Sequence, residues 1–195
     1  MIGKTSPASR LYLVLENYMK QFLYCLTLYI CNYWISQVPV HWIRMAYYRH
    51  IMRFKIGRGT TILMGARFLG YRRLAIGNGC VINENCVFGN RGGIRIGNRV
   101  SISPQVYLQS GDHDINSRDF KTRYEEVIIE DFCFVGIRAT VLRGVTLGKG
   151  SVVGAGSLVT KSVGPYEIWG GVPAKKLGDR SKDIDYQLDW KPLFH

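Results

Sequence analysis

Residues 129 to 163 read Ile129-Glu130-Asp131-Phe132-Cys133-Phe134, Val135-Gly136-Ile137-Arg138-Ala139-Thr140, Val141-Leu142-Arg143-Gly144-Val145-Thr146, Leu147-Gly148-Lys149-Gly150-Ser151-Val152, Val153-Gly154-Ala155-Gly156-Ser157-Leu158 and Val159-Thr160-Lys161-Ser162-Val163. A branched apolar residue opens every hexad and a small residue tends to follow four places on. Neither an α-helix nor an ordinary strand has this period. A hexad is one flat side of a triangular coil, in which a short strand carries the inward residue and a turn lets the chain change direction. Three hexads close a coil, and stacked coils gain a core only by repetition.

Working outward, the same register reaches back to Ile56. The inward set is Ile56, Ile62, Ile76, Ile82, Ile96, Ile102, Ile129, Val135, Val141, Leu147, Val153 and Val159, with Thr60, Cys80, Ala139, Ser151 and Ser157 as small corner fillers. Ile-Gly pairs open segments at Ile56, Ile76 and Ile96, each 20 residues after the last, as expected of an 18-residue coil with two extra residues. From Ile96 to Ile129 the spacing is 33, so about 15 residues leave the solenoid between Leu108 and Ile129. That insertion, Gln109 to Ile128, is where chemistry is expected, because loops on a rigid scaffold commonly carry it.

The chain has 195 residues and a formal charge of +12, enough length for one cored domain with an appendage. Residues 1 to 53 hold six Lys/Arg against one Glu, and residues 54 to 108 hold eight against one, whereas Gln109 to Ile128 holds three basic and five acidic residues. A basic body points to an anionic partner, such as a phosphate-bearing cofactor or anionic lipid. Nucleic acid is not expected, since the charges are dispersed over repeat corners and no helix-turn-helix, zinc-finger or RRM signature occurs. Cys25, Cys31, Cys80, Cys86 and Cys133 form no CxxC pair and read as reduced structural thiols.

Between Lys20 and Arg44 lie 23 uncharged residues that include Phe22, Tyr24, Tyr29, Tyr33, Trp34 and Trp42. Asn32, Gln37, Pro39 and His41 interrupt the segment, and no signal-peptide cleavage pattern follows it. Three arrangements fit: helices in the membrane interface, helices packed on the solenoid or a partner subunit, and a transmembrane helix. Residue chemistry favours the first, because Tyr and Trp prefer the headgroup level and Arg44, Arg49 and Arg53 would meet anionic lipid. Pro39 is expected to separate two helices.

The insertion opens Leu108-Gln109-Ser110-Gly111-Asp112-His113-Asp114-Ile115-Asn116. His113 is one of four histidines and lies between two carboxylates at a coil exit. Such a histidine can take a proton near neutral pH, although a solvated loop histidine would look the same. His41, His50 and His195 lie outside the repeat, so a three-imidazole metal site is not expected.

The repeat, the Gly111-Asp112-His113-Asp114-Ile115-Asn116 loop and the ending Gly170-Gly171-Val172-Pro173-Ala174-Lys175 together resemble the hexapeptide-repeat acyltransferases, above all the sugar and exopolysaccharide O-acetyltransferases related to maltose, galactoside and colanic-acid acetyltransferases. The resemblance covers about residues 54 to 180 and implies a mainly β, left-handed parallel β-helix with an N-terminal helical segment. The expected divisions are an N-terminal segment 1–53, a β-helix 54–164 with an excursion at 109–128, and a C-terminal CoA-binding loop and tail 165–195. The resemblance also implies a homotrimer with acetyl-CoA in the groove between two solenoids.

Carried over by motif, His113 is the general base that activates an acceptor hydroxyl for direct attack on the acetyl carbonyl. Asp112 or Asp114 would orient it, Asp112 departing from the serine or small residue usual there. Asn85, with Asn83 beside it, matches an asparagine near the reacting centre, although a turn residue favouring positive φ reads equally well. Phe134, Gly136, Ile137 and Ala155 match positions along the pantetheine arm, and Thr160, Lys161 and Lys175 match the nucleotide end, where lysines suit phosphates as point charges. The expected acceptor is a sugar or glycan, with N-acetylation of an amino sugar or a noncatalytic scaffold as alternatives. No metal is expected, and the expected location is cytoplasmic, peripheral to the inner face of the membrane.

Overall fold

In a computed structural model the chain forms the expected mainly β solenoid, capped at its start by helices. The structure describes residues 7–188, with side chains from Val14 onward; residues 1–6 of the N-terminal segment and 189–195 of the tail, His195 among them, lie outside the described residues.

Each coil contributes one short strand to each of three parallel sheets. Coils 1 to 5 span 55–68, 74–89, 94–109, 127–141 and 146–159, and a sixth begins with the bridge from Val163 to Leu147 and the strand Glu167–Gly171. On the first face Ile56, Ile76, Ile96, Ile129 and Leu147 stack in register. On the second, Ile62, Ile82, Ile102, Val135, Val153 and Trp169 do so.

The third face stacks Phe68, Phe88, Leu108, Val141 and Val159. Its first three members are absent from the inward set read from sequence: Phe68 and Phe88 are aromatic where that set held branched aliphatics, and Leu108, in register six residues after Ile102, was passed over at the coil exit. Phe68 and Phe88 instead lie stacked, with ring centroids 5.2 Å apart, and both are fully buried.

The predicted fillers Thr60, Cys80, Ala139, Ser151 and Ser157 are buried. Their polar atoms are bonded within the solenoid: Thr60 Oγ1 donates to the Gly77 carbonyl at 2.6 Å and Ser157 Oγ to that of Gly154 at 2.7 Å. All five cysteines are free thiols, and burial pushes Cys86 up to about 12 and Cys133 to about 11.

At the edge between the second and third faces the turn residues are Gly65, Asn85, Gln105, Arg138 and Gly156, all with φ between 58° and 76°. For Gln105 and Arg138 the left-handed conformation costs roughly 1–2 kcal/mol. The ladders on either side of the turn leave the chain no other path.

Helix α1 (Pro7–Tyr33) and helix α2 (His41–Ala46), separated by the segment containing Pro39, close the open end of coil 1. Met45, Tyr48, Met52 and Phe54 join the core there, and the buried Arg44 guanidinium donates to the carbonyls of Val38 and, at 3.2 Å, Ile62. The Ile62 carbonyl of coil 1 thereby gains a donor that no earlier coil supplies. Among the described residues no helix is long and apolar enough to cross a membrane.

Candidate active site

The chain leaves the solenoid after Gln109, which still pairs with Gly89, and rejoins it at Val127, which pairs with Ile94. Between them Gly111–His113 and Thr122–Tyr124 form an antiparallel hairpin on the edge between the third and first faces. Asp112 braces its base. The Asp112 carboxylate takes Arg123 Nε and Nη2 at 2.9 and 3.1 Å, and Arg143 Nε lies 2.7 Å away from the next coil. These two guanidiniums, Arg123 first, hold the Asp112 carboxyl below the usual carboxylate range. Arg143 also pairs with Glu125, so both hairpin arms are tied to the coil stack.

His113 sits in this hairpin with its ring stacked on Phe120, centroids 4.5 Å apart and planes within 8°. Its Nδ1 lies 2.9 Å from the Phe120 carbonyl oxygen. A carbonyl can only accept, so Nδ1 carries the proton and the lone pair of the neutral ring is on Nε2. A cavity of about 110 Å³ opens beside the ring, lined by Leu69, Gly89, Arg91, Gln109 and Tyr124 together with His113.

The Asp114 carboxylate is engaged elsewhere. Its Oδ1 accepts the Asn116 amide at 3.0 Å, and Ser117 Oγ closes the same turn on the Asp114 carbonyl at 2.9 Å. The group that orients the imidazole is the Phe120 backbone. Phe120 and Arg123 were invisible as site residues because the hairpin loop is too long to set its own register, and Arg143 because it sits in an ordinary hexad of the repeat.

The remaining predicted residues fall on two edges. Asn85, Gly136, Ile137 and Ala155 lie along the edge between the second and third faces, with Phe134 on the adjoining second face. Asn85 is the turn residue of coil 2 at φ 58°, its amide donating to the Met64 carbonyl. Lys175 joins them through the antiparallel strand Ala174–Asp179, where it pairs with Gly170 next to the second-face Trp169. Thr160 and Lys161 lie on the hairpin's edge, farther along the coil stack.

The strip on the second-to-third edge is closely packed between coils and partly apolar on its outer side. A Cβ at Gly136 would fall 2.7 Å from the Ala155 nitrogen, so only glycine permits the coils to approach here. Phe134 and Ile137 are 38% and 43% exposed despite lying on the solenoid wall. Lys161 and Lys175 are exposed and enter none of the ion pairs among the described residues, unlike Lys176, which holds Glu167 at 3.0 Å and Asp179 at 2.8 Å. Within one chain the histidine and this strip stay on different edges.

Comparison with known proteins follows the same lines. The family model described as the hexapeptide repeat of succinyl-transferase matches residues 126–161. A candidate acetyltransferase of Schizosaccharomyces pombe is 40% identical over 101 residues, 49% of this chain and 47% of that protein, so the chain spans about half its length. The candidate colanic acid biosynthesis acetyltransferase WcaF of Escherichia coli is 30% identical over 147 residues, 75% of this chain and 80% of that protein. Among solved structures, a hexapeptide-repeat acetyltransferase from Vibrio cholerae, complexed with acetyl coenzyme A, superposes with a TM-score of 0.74 at 26% identity, covering 80% of this chain and 86% of that one. With its own hexads coiled into the same solenoid and a relative matched over four fifths of its length, this chain belongs to the hexapeptide-repeat acetyltransferase family.

Proposed function

We propose that this protein transfers an acetyl group from acetyl-CoA to a sugar hydroxyl of a glycan, by direct attack with His113 as general base, at a site completed by a second copy of the chain in a homotrimer. The observation that carries the reading is the Nδ1–H bond to Phe120, which leaves Nε2 free as a base beside the cavity. An alcohol needs such a base at neutral pH, whereas an amine arriving neutral does not. The E. coli relative's name, which refers to colanic acid biosynthesis, supports a glycan acceptor.

The residues present fit the donor. The glycine-lined strip at Gly136, flanked by Phe134, Ile137 and Ala155, offers an apolar wall to a pantetheine arm, and Lys175 beside it, with Lys161 brought by the hairpin edge of the neighbouring copy, supplies a cation for its phosphates. Acetyl-CoA supplies an activated acyl group with a good leaving thiolate. Nε2 of His113 takes the acceptor proton as the hydroxyl oxygen forms its bond to the acetyl carbon, the carbon–sulfur bond breaks, and the proton passes from Nε2 to the departing thiolate, which restores the neutral imidazole. Asn85 lies on the strip's edge, where it would face a reacting centre brought by the neighbouring copy. Asp114 serves by shaping the turn that presents His113.

Replacement of His113 with Ala tests the chemistry. Transfer to a glycan acceptor should fall by about 10²–10⁴, while acetyl-CoA binding by calorimetry is retained. Full activity of the variant on its hydroxyl acceptor, or preference for an amino-sugar nitrogen, would overturn the base assignment. The shared site has its own test, since trimers mixed from a His113→Ala chain and an Ile137→Trp chain, altered at an exposed strip residue, should recover activity that neither has alone; an active monomer refutes it.

A further inference from the structure

From Asn17 to Asn83 the chain contains no Asp or Glu and nine Lys or Arg. The same stretch begins with α1, whose side chains from Val14 to Leu26 are almost all exposed. At 100° per residue Leu15, Phe22, Leu26, Tyr29 and Tyr33 fall within about 40° of one line along the helix. Phe22 is 60% exposed, and the other four are exposed as well.

The opposite side of the helix holds the solenoid. Cys31 is buried there, and the Asn32 side chain bonds both the nitrogen and the carbonyl of Phe68, at 2.9 and 2.8 Å. The apolar stripe thus points away from the protein's own body, the reverse of a helix that packs on its core. Trp34 and Trp42 are exposed beyond its end, Trp42 at 71%, and Arg67 reaches the stripe through Tyr33, its Nη2 lying 3.2 Å from the hydroxyl.

Two occupants could cover such a stripe: a second copy of this chain or a lipid surface. A second copy laid stripe to stripe would set the exposed cations Arg53, Lys55, Arg58, Arg67, Arg72 and Arg73 near their own counterparts in a stretch that supplies no Asp or Glu, and like charges repel at close range; the trimer contact proposed above uses other edges of the solenoid. An anionic bilayer attracts the same cations and accepts Tyr and Trp at its headgroup level. The helix is not apolar enough to cross it.

We propose that α1 lies in the headgroup layer of an anionic membrane, its Leu15–Tyr33 stripe toward the acyl chains and the basic residues of coil 1 against the lipid phosphates. The proposal stands apart from the catalytic reading, and an inactive protein would leave it intact.

Co-sedimentation of the full chain with vesicles of phosphatidylglycerol mixed into phosphatidylcholine, against phosphatidylcholine alone, tests it. The protein should pellet with the anionic vesicles only, its indole emission shifting to the blue and being quenched by brominated lipid. The combined variant Leu15→Gln, Phe22→Gln, Tyr29→Gln should lower the apparent partition coefficient at least about ten-fold at unchanged thermal midpoint. The proposal is overturned if the unaltered protein stays in the supernatant, pellets equally with both vesicles, or shows no emission shift. It is equally overturned if the variant binds as the parent does, or if the variant's assembly mass by sedimentation velocity changes, since a second copy would then be the occupant.

Discussion

Replacing Phe120 with Ala separates the two contacts that hold the proposed base. The imidazole of His113 is fixed by its Nδ1–H bond to the Phe120 carbonyl, 2.9 Å long, and by the stacked phenyl ring at 4.5 Å. The substitution keeps the carbonyl and removes the ring. An aromatic pair contributes about 0.5–1.5 kcal/mol beyond area burial. At 1.36 kcal/mol per tenfold, a base held that much less firmly lowers kcat about two- to twelvefold. Phe120 is 57% exposed, so the fold should be indifferent to the change. The assay is release of CoA thiol at saturating acceptor, with KM for acetyl-CoA and the thermal midpoint measured in parallel. The expected pattern is reduced kcat, unchanged donor KM and midpoint, and recovery with Phe120→Tyr. An undiminished kcat, or a loss carried wholly by donor KM, would refute the positioning argument.

Three further outcomes follow from the packing and electrostatics. Phe68→Ala removes a fully buried ring touching Tyr48, Phe54 and Phe88; it should cost about 3–5 kcal/mol and lower the thermal midpoint by about 6–20 °C, and calorimetry showing a drop under about 3 °C contradicts the stacked core. Asp112 is held below its unfolded value of about 3.9 by Arg123 and Arg143, so its stabilisation is present above that value and lost as pH falls through its lower folded value. Amide protection factors in the hairpin should therefore be flat above about pH 5 and fall below about pH 4, a step that Asp112→Asn removes. Cys25 is exposed and the other four cysteines are buried, with Cys31 pushed up to about 12. A thiol reagent should find one fast group in the native chain and five after denaturation.

Most of the solenoid is legible in the sequence because a hexad describes itself: Ile129, Val135 and Val141 announce three successive faces by spacing alone. The aromatic start of the third face was hidden. Phe68 and Phe88 fill the first two coils, where residues of α2 and those after it join the core, and a rule about branched aliphatics passes over them. The turns were legible only in part, since Gln105, Phe132 and Arg138 adopt left-handed conformations that their side chains do not advertise and the neighbouring ladders impose.

The candidate site divides in the same way. His113 could be found because it interrupts a period, and Gly136 because it keeps one. The partner of His113 could not: Phe120 is seven residues on, within a loop whose path obeys no repeat, and its contribution is a backbone oxygen. The sequence order also conceals that Asn85 and Ala155 share one edge of the triangle while His113 and Lys161 share another. By itself the sequence determined the period, the stacking order and the point of exit, all properties of residues close along the chain or equivalent under the repeat, while His113 was singled out as the proposed base by the family resemblance of its loop. Only the tertiary structure decided how the imidazole is held, which residues share an edge of the solenoid, and that the apolar stripe of α1 looks outward, because these depend on contacts between segments that no periodicity relates.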